Sequence, residues 1–265
     1  MTKSTQSKAN NIVFTDINKS YSKGDNTVVV HDKFNLTIES GEFVALMGPS
    51  GLGKSTLLHL MGGLDKPTSG SVEIGGQRID DLSESKLTRW RAENIGFIFQ
   101  AHHLLPVLSA QGNVELPLSL TPLNRKQRQQ HAATALALVG MAARAHHFPR
   151  ELSGGQEQRV AIARAIVSDP KILLCDEPTG NLDRKTADEI LVLLAKLNKD
   201  FGKTIVMVTH DAKAAEYASR VINLEEYIAK GVNEAKEAKP ATIVKGEKIA
   251  NEQQSLVEGA ANEFI

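Results

Sequence analysis

The stretch "EFVALMGPSGLGKST", Glu42 to Thr56, decides the fold. Phe43 to Met47 are continuously apolar, as expected of a strand buried on both faces. A glycine-rich loop follows without a break, and "LLHLM" continues beyond Thr56 with the character of a helix. Strand, loop and helix in direct succession make one unit of a parallel sheet covered by helices.

Gly48 to Ser55 fit the pattern G-x-x-x-x-G-K-[ST]. Gly48, Pro49, Ser50, Gly51, Leu52 and Gly53 form a loop whose backbone N–H groups turn onto phosphate oxygens. The helix that starts there adds its dipole to the same anion. Lys54 reaches the β- and γ-phosphates, the Ser55 hydroxyl completes a Mg²⁺ shell, and Thr56 carries the chain into the helix. Leu52 is bulky for such a loop, but backbone donors do the binding there, so it is tolerated.

Working outward, the chain alternates. "NIVFTDINKSY" and "TVVVHDKFNLTI" precede the loop as β-branched strands separated by the turn-prone "SKGDN". "GSVEIGGQRI" reads as a short strand and turn, and "IGFIFQ" as a buried strand ending in Gln100. From about Ala101 to Arg150 the pattern becomes helical, punctuated by Pro106, Pro117, Pro122 and Pro149. Alternation then resumes: a helix from "SGGQEQRVAIARAIV", a strand "KILLCDE", a helix "RKTADEILVLLAKLNKD", a strand "TIVMVTH", a helix "DAKAAEYASR" and a strand "RVINL". After about Tyr227 the chain turns rich in Glu, Lys, Ala and Gln, the composition of a loosely helical or disordered tail.

The carboxylates Asp176 and Glu177 stand at the end of an unbroken apolar strand. Asp176 can hold a Mg²⁺ shell, and Glu177 can line up a water on the γ-phosphate. His210 closes a neighbouring strand, where ligands of parallel sheets bind, and is a candidate γ-phosphate contact. Gln100 offers an amide to Mg²⁺ or to the water. Asp183 reads as the N-cap of the next helix. Tyr21 is either a strand-end aromatic or a platform for an adenine face. Ser153 and Gln156 have the spacing of a capping box, yet Gly154 and Gly155 are poor helix starters and lack a local reason. The pairs His102–His103 and His146–His147 lack metal-ligand spacing and read as surface or packing residues. "NKD" at Asn198–Asp200 does not fit the guanine-reading N-K-x-D pattern.

Bulk properties narrow the partners. The 265 residues carry 31 basic and 31 acidic side chains, so net charge is zero and nucleic acid is not expected as a partner. The one cysteine, Cys175, permits no internal disulfide, which fits a reducing compartment. No stretch approaches the ~20 apolar residues of a membrane span, so a membrane role is expected only through a partner.

Taken in order, "GPSGLGKST", the Gln100 loop, "LSGGQEQ", "ILLCDEP", "GNLD" and "VTHD" resemble an ATP-binding cassette ATPase, the nucleotide-binding subunit of an ABC transporter. The resemblance covers about residues 12–225. It implies an α/β fold: a P-loop NTPase (RecA-like) core with a mostly parallel sheet, an N-terminal antiparallel β subdomain and an inserted α-helical subdomain at about 101–154. Residues 1–10 would be a flexible N-terminus, 11–225 the ATPase domain and 226–265 a polar tail.

The resemblance also implies chemistry. ATP and Mg²⁺ are the expected cofactors. Two subunits would pack head to tail around two ATPs, with Ser153, Gly154 and Gly155 facing the γ-phosphate held by the partner. Asp183 would lie in the loop that signals between the two sites, and Gln100 would couple the site to a helix of the membrane subunit. Tyr21 matches the aromatic that stacks on adenine. "LLHLMGGLDKPTSGSV", "NVELPL" and "DEPTGNLD" are similar to the lipoprotein-releasing, macrolide-exporting and cell-division group, and "HHLLP" to the lipoprotein-release ATPases in particular. The expected function is therefore an ATP-hydrolysing subunit, peripheral on the cytoplasmic face of the plasma membrane. It would drive permease subunits that carry an extracytoplasmic domain, for export or extraction of a lipoprotein, lipid or drug. The alternative is a soluble or gating ABC ATPase that regulates a partner, as cell-division relatives would, without transport.

Overall fold

The computed structural model describes residues 10–24 and 26–229. Most of the N-terminal segment expected to be flexible and most of the polar tail lie outside the described residues.

β1 (Ile12–Lys23) and β2 (Asn26–Ile38) pair antiparallel. β3 (Phe43–Met47) leads through the phosphate loop into α1 (Lys54–Met61). β4 (Ser69–Ile74) and β5 (Gln77–Arg78) close the first sheet, in the order β2-β1-β4-β5. The two-residue turn between them is Gly75–Gly76, both at positive φ (61° and 81°), a geometry that side chains with a Cβ resist.

α2 (Glu84–Asn94) then leads into β6 (Ile95–Phe99). This helix is absent from the sequence reading, because only Leu87 and Trp90 are buried along its 11 residues and the apolar stripe is too thin to see. α3 (Ala110–Glu115), a 3₁₀ turn over Leu116–Leu120 and α4 (Arg125–Leu138) form the helical region. α5 (Gly154–Ile166), β7 (Ile172–Asp176), α6 (Arg184–Phe201) and β8 (Thr204–Val208) restore the alternation.

α7 spans only Ala212–Ala215, shorter than expected from "DAKAAEYASR". The chain tightens there into i−3 bonds, Tyr217 and Ala218 donating to Ala214 and Ala215, and Ser219 then docks on the Phe43 carbonyl. β9 (Arg220–Asn223) and α8 (Leu224–Ala229) follow. The boundary expected at residue 225 falls inside α8, where the Tyr227 hydroxyl donates to the Asn35 carbonyl at 2.8 Å.

The second sheet is wholly parallel, in the order β6-β7-β8-β3-β9. Its alternate residues enter opposite cores. Ile172, Leu174, Val206 and Val208 join Val44, Leu46 and the α1 leucines beneath the first sheet. Leu173, Cys175, Ile205 and Met207 join Phe43, Ala45 and the buried faces of α4, α5 and α6. Each such leucine or isoleucine contributes roughly 1.5–3 kcal/mol by leaving water. A one-residue slip of any central strand would exchange the two sets, so the register is strongly held.

That register positions the site. Phe99 pairs with Asp176, Asp176 with Val208, and Val208 with Leu46. The next residues along each strand therefore emerge together at one edge: Gln100, Glu177, Thr209–His210 and Met47–Gly48.

Candidate functional site

The phosphate loop is held open by glycine. Gly48, Gly51 and Gly53 all have positive φ, of 146°, 90° and 75°. At Gly53 the need is also steric, because an added Cβ would stand 2.4 Å from Val30 Cγ1 and 2.5 Å from His31 Nε2. β2 thus presses directly on the loop. Gly53 caps α1 without a side-chain hydrogen bond, which leaves the first-turn N–H groups uncovered by a cap. Leu52 turns back onto the apolar cluster beneath the first sheet.

Lys54 is only 8% exposed, yet among the described residues no carboxylate pairs with it. Its Nζ donates to the Gly48 and Pro49 carbonyls of its own loop, both at 2.7 Å. A buried ammonium held only by carbonyl dipoles is suited to an incoming anion. Beside it the Ser55 hydroxyl donates to Asp176 Oδ1 at 3.2 Å. Burial lifts the Asp176 carboxyl above its ordinary value, with the Glu177 charge adding to this and Ser55, His59 and Lys54 opposing it. A desolvated carboxylate touching a hydroxyl is a donor set of hard oxygens that fits Mg²⁺.

Glu177 stands just past β7 at φ +46°, a left-handed conformation that costs a residue with a Cβ about 1–2 kcal/mol. Its N–H donates to the Val208 carbonyl at 3.0 Å. Its Oε1 lies 3.1 Å from His210 Nδ1. Open space of about 460 Å³ borders the pair, lined also by Thr179, Arg184, Asp188 and Lys213, so both side chains face solvent rather than core. Gln100 Nε2 donates to Asn181 Oδ1 at 3.1 Å, joining the end of β6 to the loop that follows Glu177. The structure therefore brings Lys54, Ser55, Gln100, Asp176, Glu177 and His210 to one sheet edge.

The remaining candidates lie on other elements. Ser153 Oγ accepts from the Gln156 N–H at 3.3 Å and Gln156 Oε1 accepts from the Ser153 N–H at 3.0 Å, a full capping box at the start of α5. The two glycines behind it differ. A Cβ on Gly155 would strike Thr186 Cγ2 at 2.3 Å, whereas a Cβ on Gly154 would meet nothing closer than Leu182 Cδ2 at 3.8 Å. Gly155 has a packing reason within the chain, and Gly154 has none. Asp183 caps α6, accepting from the Thr186 N–H at 3.1 Å and its hydroxyl at 2.6 Å, bonds that hold its carboxyl below the ordinary range.

Tyr21 is 45% exposed on the β1–β2 hairpin. Its hydroxyl donates to Asp65 Oδ2 at 2.7 Å, and Lys19 Nζ sits 4.5 Å from the ring centroid while donating to Asp65 Oδ1 at 2.7 Å. Burial works to raise the Asp65 carboxyl, but the bonds from Lys19, Tyr21 and the Lys66 N–H outweigh it and hold the group low.

His31, Arg164 and Gln158 have no role in the sequence analysis. His31, 3% exposed, places Nε2 3.2 Å from the Gly53 carbonyl, and burial lowers its pKa. His102, expected at the surface or in packing, pairs through Nδ1 with Glu157 at 2.9 Å, and Arg164 on α5 donates to the carbonyls of His102 and His103. Gln158 lies fully buried behind the capping box. Its signal was visible: a polar residue on the stripe shared with Ile162 and Ala165.

A protein-family model described as ABC transporter matches residues 31–180. The lipoprotein-releasing system ATP-binding protein LolD of Geobacter metallireducens is 50% identical over 209 residues, covering 79% of this chain and 93% of that one. The macrolide export ATP-binding/permease protein MacB of Escherichia coli is 50% identical over 208 residues, which is 78% of this chain but 32% of MacB. The chain thus spans about a third of that relative. Among solved structures, the dimeric post-hydrolysis state of the ATP-binding cassette MJ0796 bound to ADP and Pi superposes with a TM-score of 0.75 at 44% identity, covering 80% of this chain and 93% of that one. MJ0796 comes from Methanocaldococcus jannaschii. No helix among the described residues is long and apolar enough to cross a membrane.

Proposed function

The chain belongs to the ABC transporter family, as one of its ATPases, and from that premise we propose that it dimerises around two ATPs and drives conformational change in membrane permease subunits. The observation that carries the reading is the sheet edge, where the Ser55–Asp176 contact, from the start of α1 to the end of β7, stands beside the Glu177–His210 contact just past the ends of the adjacent strands β7 and β8.

In this reading the ATP phosphates lie on the loop amides and the α1 N-terminus. Lys54 exchanges the Gly48 and Pro49 carbonyls for the β- and γ-phosphate oxygens. Ser55, Asp176 and Gln100 would hold Mg²⁺, which neutralises charge shared by those oxygens. Glu177 accepts a hydrogen bond from the attacking water and fixes its direction. The water oxygen bonds to Pγ, the bond from Pγ to the bridging oxygen breaks, ADP leaves with that electron pair, and the water proton passes to Glu177 and then to solvent. His210 steadies Glu177 from one side and touches the γ-phosphate from the other. Tyr21, with Lys19 behind its ring, presents a face for adenine.

Ser153 and Gly154 complete the site in a second copy. Both are exposed, the capping box fixes the helix start they form, and Gly154 leaves space that nothing in its own chain needs. The dimeric MJ0796 structures support the arrangement by analogy. Asp183, one turn before Thr186, whose methyl packs against Gly155 of α5, lies where the two sites would sense one another.

In this reading the permease partners carry an extracytoplasmic domain and the cargo is a lipoprotein, lipid or drug; the names of the LolD and MacB relatives, lipoprotein release and macrolide export, support the lipoprotein and the drug. The ATPase sits peripherally on the cytoplasmic face. Affinity purification of the full chain from detergent-solubilised membranes tests this. Recovery of an integral membrane protein with an extracytoplasmic domain supports it, and recovery of the chain alone argues against it.

A further inference from the structure

Gln158 has no exposed surface, yet its amide makes contacts that a packing residue would not need. Nε2 lies 2.6 Å from the Pro178 carbonyl and 3.4 Å from the Phe99 carbonyl. Both neighbours are acceptors, so the NH₂ end must face them. Oε1 is buried with no partner. A methionine would fill similar volume without stranding an acceptor, so packing alone does not explain the amide.

The two carbonyls identify the target. Pro178 directly follows Glu177, and Phe99 directly precedes Gln100. Glu177 holds a left-handed backbone, and such strain persists only where the surroundings over-determine it. The Glu177 N–H bond to Val208 and the Gly180 N–H bond to the Glu177 carbonyl do part of this. The third tie comes from α5, the helix whose first residues are capped by Ser153.

We propose that Gln158 is a positioning residue, whose amide clamps the segment carrying Glu177, and the strand end before Gln100, to the helix that Ser153 opens. A shift of α5 when its N-terminus engages the partner's nucleotide then reaches Glu177 through one side chain. The inference rests on the reading of Glu177 as the water-orienting group.

The test uses the full-length protein and ATP. Gln158→Met should lower kcat at least fivefold, with KM for ATP within twofold and unchanged binding stoichiometry for a fluorescent ATP analogue. A smaller loss of kcat overturns the clamp, as does a loss matched by a fall in bound analogue, which would mark a merely structural role. If that variant does not fold, Gln158→Glu keeps the shape, and its buried carboxyl regains an O–H donor for the Pro178 carbonyl once protonated. Its rate relative to wild type should rise as pH is lowered, and a flat ratio overturns the proposal. Glu177→Gln run alongside separates the two readings: wild-type turnover there removes the Glu177 assignment itself, whereas a dead Glu177→Gln with an active Gln158→Met removes only the clamp.

Discussion

Glu177 Oε1 and His210 Nδ1 meet at 3.1 Å across 33 positions of sequence. The contact exists because β7 and β8 are adjacent parallel strands with Asp176 opposite Val208, so both chains leave the sheet at the same level. Removing the carboxylate while keeping the shape separates binding from turnover. Glu177→Gln should lower kcat by ~10²–10⁴ while leaving ATP affinity near wild type. His210→Ala should cost ~10²–10³ in kcat, as loss of one oriented donor does. Single-turnover hydrolysis beside equilibrium binding of a fluorescent ATP analogue distinguishes these from loss of binding.

The two glycines of the capping box should behave differently. Gly155→Ala places a Cβ 2.3 Å from Thr186 Cγ2, and Thr186 cannot easily turn away because its hydroxyl is bonded to Asp183. Such overpacking costs about 1–3 kcal/mol, read as a lower urea midpoint. Gly154→Ala should leave the midpoint of the monomer unchanged and reduce only the hydrolysis that depends on dimerisation. Equal destabilisation by both would show that Gly154 also has an internal packing role.

The contacts that hold Tyr21 against Asp65 and Lys19 should loosen in acid. Burial acts to raise the Asp65 carboxyl, but the bonds from Lys19, Tyr21 and the Lys66 N–H hold it below the ordinary ~3.9 of an aspartate. A depressed carboxyl contributes stability that is present above its unfolded pKa and lost as pH falls through its folded one. The wild type should therefore lose stability below about pH 4 more steeply than Asp65→Asn, which lacks the titrating group. Urea melts of both proteins from pH 3 to 6 would check this, and parallel curves would contradict it.

What was legible in the sequence was local or periodic. The phosphate loop announces itself because Lys54 and Ser55 follow a buried strand directly. The capping box of Ser153 and Gln156 spans three residues and needs no tertiary knowledge. The strand-end candidates converge because parallel strands of similar length in register share an edge. What was not legible depends on partners far along the chain. Gly155 owes its absent side chain to Thr186, and Gly53 owes its own to Val30 and His31 on a different sheet. Gln158 acts on carbonyls 20 and 59 positions away, which carry no side-chain signature at all. α2 escaped because two buried side chains in three turns make no readable stripe.

The central claim is that each ATP is hydrolysed between two chains, by Glu177 of one and Ser153 of the other. Mixing two inactive variants tests it most directly. Ser153→Arg and Glu177→Gln, purified separately and then combined in equal amounts with ATP, should regain hydrolysis. In each mixed dimer one site receives both defects and the other receives none. With random pairing, half the dimers are mixed, so about a quarter of all sites should be intact. Recovered ATPase activity on that order is the predicted result. A mixture as inactive as its components would contradict the account, because it would place Ser153 and Glu177 in the same chain's site.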